Sequence, residues 1–296
     1  MLWVRIGSGI VAIALALVVT VLGGWYFTLG LSALVYLGQV EYFNLVKVKG
    51  ITPANKTTIL VSQVMLALST ASAYLETPGL AEAVLPIAAT MICFYPIFLP
   101  KHSTIAGIAS SVLGLLYAGY LPSYWIRLRL LESTQVSHLP FGGYWPSHWM
   151  PLTQVPLGLT VTLMAFLCIW AADIGAYTIG RLFGKTRLSD ISPKKTVEGA
   201  LFGVLGSMGV GCLGAGLLNW PYWILSGSML GVLVGVTSVL GDLTESMMKR
   251  DAGVKDSGQL IPGHGGILDR ADSYVFTGPL VYFYVTLLLP LLKTLQ

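Results

Sequence analysis

Long apolar stretches alternate with short polar segments along most of this chain. Nine stretches are candidate membrane spans, at roughly 5–23, 25–42, 57–75, 80–99, 104–125, 156–180, 199–218, 221–241 and 274–295. A helix needs about 20 predominantly apolar residues to cross the hydrocarbon core. Only helices and closed barrels satisfy their backbone groups in lipid, and the long alternation typical of barrel strands does not occur. The pattern therefore predicts an all-α polytopic membrane protein with about nine transmembrane helices.

The first apolar stretch could also belong to a cleaved secretory signal, because Arg5 precedes it. However, no small-x-small cleavage pattern follows, and the segment GGWYFTLGL leads directly into the next apolar run. We therefore expect a retained first helix. The seventh span is rich in glycine, which predicts close helix packing in a membrane. Its glycines are Gly199, Gly203, Gly206, Gly209, Gly211, Gly214 and Gly216.

The basic residues favour one orientation of the nine spans. If the N-terminus lies inside, 14 of the 17 Lys and Arg residues fall on the cytoplasmic side, and only Arg127, Arg129 and Lys293 fall outside. Short cytoplasmic loops carry an excess of such residues. We expect a multi-pass protein of a bacterial inner membrane, with its active site facing the cytoplasm. Segment 123–155 is expected to be an outer loop anchored by aromatic residues, with a re-entrant hairpin as the alternative.

Composition supports the membrane class. The chain is 55% hydrophobic and 10% charged, whereas soluble domains are about 45–50% apolar and about 25% charged. The net charge of +4 is distributed over short loops, so no nucleic-acid partner is expected. Cys93, Cys168 and Cys212 each lie in an apolar run without metal-binding spacing, which predicts free thiols.

Charges are concentrated in the second half of the chain. Residues 173–272 contain 18 of the 30 charged side chains, while residues 1–155 contain few. We predict an N-terminal region, 1–155, with about five transmembrane helices and the outer loop. A catalytic region, 156–296, would supply about four more helices and two cytoplasmic loops, 181–198 and 242–273.

Acidic residues stand at the ends of the last spans. Asp242 and Glu245 are three residues apart and share a helix face, as do Asp269 and Asp272. A carboxylate at a membrane boundary is costly unless it is paired or binds a cation. Carboxylates beside basic groups are a common means of holding Mg²⁺ against substrate phosphates. For Asp242 and Glu245 alone, a solvated helix end is an equally good explanation.

Three further segments carry polar groups near the same predicted face. Asp173 lies inside the sixth span, where an ionisable residue indicates function by default, although packing against a Lys is an alternative. The run SPKKT at 192–196 places hydroxyls and two Lys at a helix N-terminus, which suits phosphate but is also an ordinary helix cap. The run PGHGG at 262–266 allows close approach of the backbone to a ligand.

One combined motif resembles a known family. SMMKR, then KD after four residues, then PGHGGILDRAD resembles the signature of the phosphatidate cytidylyltransferases, or CDP-diacylglycerol synthases. The segments WAADIGAYTIGRLFGK and SPKKTVEG are similar to other motifs of that family, in the same order. The resemblance is strong over roughly 165–275, and residues 1–155 match only as a run of apolar helices.

The resemblance implies a reaction in which CTP and phosphatidic acid give CDP-diacylglycerol and pyrophosphate, within phospholipid biosynthesis. It implies catalytic roles for Asp242, Asp269, Lys255 and Arg270, and metal binding by Asp242, Asp269, Asp173 and Asp272. The implied substrate-binding residues are Lys185, Ser192, Lys194, Lys195, Thr196, Glu198, Asp256, His264, Gly265 and Gly266. The expected cofactor is Mg²⁺, as one or two ions, with a monovalent cation as an open addition. Membrane lipids are expected partners, and a homodimer is left open.

Three other functions are alternatives to this one. A CDP-alcohol phosphotransferase would carry a DGxxAR pattern, which is absent. A polyprenol kinase that uses CTP would transfer only phosphate. A secondary transporter would place polar residues near the midplane in paired repeats, and no repeat occurs here.

Overall fold

The computed structural model describes residues 2–98, 104–133, 136–146, 151–259 and 265–295. Eleven α-helices occur in these ranges, which contain no β-strand. They are α1 Leu2–Leu22, α2 Gly24–Val48, α3 Asn55–Tyr74, α4 Pro78–Phe94, α5 Ile105–Leu115, α6 Leu121–Leu130, α7 Leu157–Phe183, α8 Val197–Leu217, α9 Trp223–Asp251, α10 Leu268–Phe283 and α11 Leu289–Thr294. Single π-helical turns join α5 to α6 and α10 to α11, so each pair forms one long helix.

The predicted all-α class is confirmed, and each of the nine predicted spans falls on a helix. Within the described ranges, seven helices are long and apolar enough to cross a membrane, by length and composition. The described apolar part of α1, Gly9–Leu22, is shorter. Helix α2 is not among the seven, and it carries Gln39, Glu41 and Lys47 along its second half.

Two helix boundaries differ from the prediction in the charged region. Helix α9 continues to Asp251, ten residues beyond the predicted end at 241, and α10 begins at Leu268 instead of 274. The prediction stopped at the first charges, because it relied on apolar content. Leu, Met, Glu, Lys and Arg are good helix formers, so the backbone remains helical after the apolar stretch ends. As a result, both acidic pairs lie within helices.

The chain divides into two compact units, and the first comprises Met1–Trp145 and Met248–Ala271. Its apolar core includes Met65, Ile92 and Leu115, from three different helices. A fully buried Arg129 donates hydrogen bonds to the Thr20 and Val21 carbonyls at the end of α1. The last carbonyls of a helix lack partners within it, so Arg129 satisfies them from another helix.

The second unit comprises Pro146–Met247 and Asp272–Gln296. Its helices α7 and α8 approach closely at glycines, as predicted. A Cβ added to Gly203 would lie 2.6 Å from the Ala172 carbonyl oxygen, and Gly211 faces Gly227 of α9 just as tightly. The prediction was wrong for Gly209, because a Cβ there would meet nothing within 4 Å. The functional division at residue 155 stays a prediction.

Candidate functional site

Three carboxylates meet in the second unit and are named here the carboxylate cluster: Asp242, Glu245 and Asp272. In the described part of the chain, one oxygen of each lies within 4.8 Å of the others. Asp242 and Glu245 are one turn apart on α9, and Asp272 comes from α10. The two helices approach at Gly241, where a Cβ would lie 2.5 Å from the Asp272 carbonyl oxygen. Glycine at this position therefore helps to bring the acids together.

The carboxylate cluster is largely withdrawn from solvent. Glu245 is fully buried and Asp272 is 9% exposed, while the Asp242 side chain remains 38% exposed. Asp242 forms an ion pair with Lys195. Asp173 of α7 accepts a 3.2 Å hydrogen bond from Ser238 Oγ, one turn before Asp242 on α9. Several like charges in a buried site repel one another, and a bound cation is one way to offset this cost.

The loop between α7 and α8 folds back on itself as a short hairpin. Leu188 donates its backbone N–H to the Lys195 carbonyl, and Val197 donates to the Thr186 carbonyl. Thr196 caps α8 by accepting from the Gly199 N–H at 3.2 Å. The predicted helix entry at Ser192 and Pro193 is therefore a few residues too early, because α8 begins at Val197, directly after SPKKT. The cap uses the Thr196 hydroxyl, and phosphate binding there stays a prediction.

Glu198 stabilises the same loop. It lies in the first turn of α8, as predicted, and its carboxylate accepts backbone N–H groups of Lys185 at 3.2 Å and Thr186 at 3.1 Å. Lys185 and Lys194 are exposed, whereas Ser192 is partly buried. The structure therefore gives Glu198 contacts with its own loop, and a substrate contact for it stays a prediction.

In the first unit, Asp269 is the centre of a dense set of hydrogen bonds. Its Oδ1 pairs with Lys249 Nζ at 2.5 Å. Its Oδ2 accepts the backbone N–H and the hydroxyl of Ser257, both at 3.0 Å, and the Gly266 N–H at 2.9 Å. Asp269 thereby connects the end of α9 with the segments on either side of residues 260–264. Its role as a metal ligand stays a prediction.

Glu41 was not among the predicted site residues. Although this residue lies on α2, more than 200 positions before Asp269, its carboxylate is buried against the same segments. It accepts the N–H groups of Ile267 at 3.0 Å and Leu268 at 2.9 Å, and the Ser257 hydroxyl at 3.0 Å. A carboxylate inside an apolar span was the signal that could have identified it.

The remaining predicted site residues have no role assigned by the geometry. Lys255, Asp256 and Arg270 are exposed. His264 lies outside the described residues. Gly265 has a backbone φ of +83°, a left-handed conformation that favours glycine. A Cβ at Gly265 would also approach Asp269 Oδ2 at 2.9 Å.

Of the four predicted metal ligands, the structure brings Asp242 and Asp272 together and adds Glu245, which was noted only as the helix-face partner of Asp242. Asp173 and Asp269 have the hydrogen bonds described above. The cluster provides only carboxylate oxygens. Such hard ligands suit Mg²⁺, which takes one or two carboxylates together with water and phosphate oxygens.

A family model described as the cytidylyltransferase family matches residues 3–288. The chain belongs to this family. The motifs that resemble the family lie within 165–275, whereas the match includes the N-terminal helices and therefore Glu41.

Individual relatives agree with the family match. The chain is 58% identical over 294 residues, 98% of its length and 99% of the relative's, to a phosphatidate cytidylyltransferase of Synechocystis sp.. It is 40% identical to phosphatidate cytidylyltransferase 4, chloroplastic, of Arabidopsis thaliana, over 90% of this chain and 69% of that one. A Bacillus subtilis phosphatidate cytidylyltransferase is 29% identical over 96% of this chain and 97% of its own. The suspected family is therefore confirmed.

Proposed function

We propose that this chain transfers the cytidylyl group of CTP to phosphatidate, giving CDP-diacylglycerol and pyrophosphate. The observation that carries the proposal is the buried carboxylate cluster, which lies within a family match covering nearly the whole chain. The near-full-length Synechocystis relative bears the name of this activity. Seven described helices that could cross a membrane suit a substrate with two acyl chains.

Asp242, Glu245 and Asp272 would hold Mg²⁺, because they are converging hard ligands. Bound there, the ion would offset the charge of the reacting phosphates. Asp173 and Asp269 are further candidates if a second divalent ion or a monovalent cation takes part. These carboxylates would act by binding, so their loss should change the dependence on metal concentration as well as the rate.

The Lys and Arg side chains would also offset the negative charge of the substrates. A phosphate oxygen of the lipid attacks the α-phosphorus of CTP, a new P–O bond forms, and the bond to the β-phosphate breaks as pyrophosphate leaves. The nucleophile is already anionic, so no general base is required. Lys185, Lys194 and Lys195 would balance the triphosphate from the hairpin loop, and Lys255 and Arg270 are the further candidates. Positioning and electrostatics would supply most of the rate.

Ser192, Thr196, Asp256, His264, Gly265 and Gly266 remain the proposed substrate contacts. We place the reaction at the cytoplasmic face, because the predicted cytoplasmic segments carry most of the basic residues. A homodimer is the assembly hypothesis, and light scattering on the protein in detergent tests it.

The decisive experiment measures pyrophosphate release by the purified protein in mixed micelles. Release should require CTP and phosphatidate together, stop with excess EDTA and return with Mg²⁺. CTP labelled in the cytosine ring should transfer its label to the lipid. Label transfer from the γ-phosphate alone would instead show a CTP-dependent lipid kinase, and absence of release would refute the proposal. Activity that persists in EDTA would refute the metal assignment.

A further inference from the structure

The Glu41 carboxylate lies at the N-terminus of α10 although it belongs to α2. The first N–H groups of a helix have no acceptor within that helix. Glu41 Oε1 accepts the Ile267 N–H at 3.0 Å, and Oε2 accepts the Leu268 N–H at 2.9 Å. Glu41 is 3% exposed and Leu268 is 2% exposed, so water does not replace these bonds readily. A negative charge also suits the positive end of a helix.

Two glycines make room for this carboxylate. A Cβ added to Gly258 would overlap Glu41 Oε1, and a Cβ added to Gly266 would overlap Glu41 Oε2. Neither glycine has a left-handed backbone, so close approach is the reason for glycine at these positions. Both belong to the polar segments that carry the family motif. The side chain of Glu41 therefore sets the path of the backbone on each side of residues 260–264.

Ser257 connects Glu41 with Asp269. The Ser257 hydroxyl lies 3.0 Å from Glu41 Oε2 and 3.0 Å from Asp269 Oδ2. A hydroxyl has one hydrogen, so it donates to one carboxylate at a time and bridges the two. Asp269 in turn accepts the Gly266 N–H. Gly266 directly precedes Ile267 and Leu268, whose N–H groups donate to Glu41.

The geometry points to Glu41 as a positioning residue for the reaction: a buried carboxylate on α2 that fixes the motif segments around Ser257 and Gly266 and, through them, the orientation of Asp269. Glu41 contacts none of the reacting groups in this assignment. It acts by presenting two acceptor oxygens to three donors. Glutamine has the same shape but only one acceptor oxygen, and its NH₂ group would face an N–H or O–H donor. A buried donor left without an acceptor is costly.

The test uses two measurements. The kinetic measurement rests on the proposed function, whereas the hydrogen-exchange measurement does not. Glu41→Gln should lower kcat about 10–100-fold with a smaller change in KM for CTP, since misplacement by about 1 Å can cost 10²-fold. Hydrogen exchange should become faster in peptides that contain the Ile267 and Leu268 amides. Glu41→Asp retains the charge and should recover part of both properties.

Gln39→Met is the matched control. Gln39 is also fully buried on α2, but it donates to Ser62 Oγ at 2.7 Å and to the Gly114 carbonyl at 3.3 Å, far from the motif in sequence. The Gln39→Met variant should lose stability, because a buried amide is removed. Hydrogen exchange at the Ile267 and Leu268 amides should not become faster. Equal effects of the two substitutions on kcat and on exchange would reduce Glu41 to a general packing residue and overturn the inference.

A double-mutant cycle with Glu41→Asp, which retains the charge on a shorter side chain, covers the case in which Glu41→Gln does not fold. The three atoms nearest to a Cβ added at Gly258 all belong to Glu41, so Gly258→Ala should lower kcat in the wild type and have a smaller effect beside Glu41→Asp. Equal effects of Gly258→Ala in both backgrounds would overturn the inference. So would wild-type kcat and exchange in Glu41→Gln. If the wild-type protein itself releases no pyrophosphate, the proposed function fails, while the exchange result still decides the role of Glu41.

Discussion

At the scale of single residues, Asp269 is held by hydrogen bonds from three other residues. Its two oxygens accept from Lys249 and from the Ser257 and Gly266 N–H groups, and they share the Ser257 hydroxyl with Glu41. Hydrogen bonds to a charged group typically contribute about 1.5–3 kcal/mol each, and backbone donors cannot move away to find other acceptors. The orientation of this carboxylate is therefore strongly determined by the protein, whether or not a metal also binds it.

We predict that Asp269→Asn abolishes turnover, with a loss of about 100-fold or more in kcat, while the protein still inserts in the membrane. The Asn NH₂ group would face either Lys249 or the donors from Ser257 and Gly266, and the negative charge is lost. Incorporation of labelled CTP into lipid measures the effect. Full activity would contradict the assigned role.

Asp251→Asn is the control for that substitution. Asp251 also pairs with a lysine, Lys49, at 2.9 Å, but its side chain is 67% exposed. An exposed ion pair contributes about 0–1 kcal/mol. The control should retain nearly full activity, so a large loss there would show that any lost carboxylate in this region is harmful.

At the scale of helices, the elements were predictable and their polar ends were not. The apolar stretches all fall on helices, and seven described helices are long and apolar enough to cross a membrane, because hydrophobic length is a local property. The polar extensions of α9 and α10 contain Asp242, Glu245, Asp269 and Asp272, and their helical state depends on helix propensity and on tertiary contacts. The close contact at Gly203 could be predicted as a tendency of the glycine-rich span, but its partner on α7 could not.

Gly203→Ala should destabilise the protein by about 1–3 kcal/mol, because the added methyl meets the Ala172 carbonyl and the Ala176 side chain. Gly209→Ala on the same helix meets nothing within 4 Å and should be neutral or slightly stabilising. Thermal unfolding in detergent measures both. Similar losses of stability in the two variants would show that helix α8 tolerates no alanine, and would contradict packing at Gly203 as the cause.

At the scale of the whole molecule, the motif residues of the site were predictable and their mutual support was not. Asp242 and Asp272 were among the four metal ligands that the family resemblance implied, and the structure brings these two together, while metal binding itself stays a prediction. Glu41 was missed because 226 residues separate it from Ile267, its hydrogen-bond partner. No local pattern encodes such a contact. In a membrane protein, however, an acidic residue within a span indicates a buried contact, since such an acid needs a partner.

The distribution of charge over the whole chain makes a prediction about sidedness. Because 14 of 17 basic residues fall in the predicted cytoplasmic segments, the polar motifs should face the cytoplasm. CTP is a polyanion that does not cross a bilayer unaided. Inverted membrane vesicles should therefore convert added CTP to lipid product, whereas intact right-side-out vesicles should do so only after detergent opens them. The opposite pattern, in which intact right-side-out vesicles are active and inverted vesicles need detergent, with sealing verified by an impermeant dye, would place the site on the other face and reverse the predicted topology.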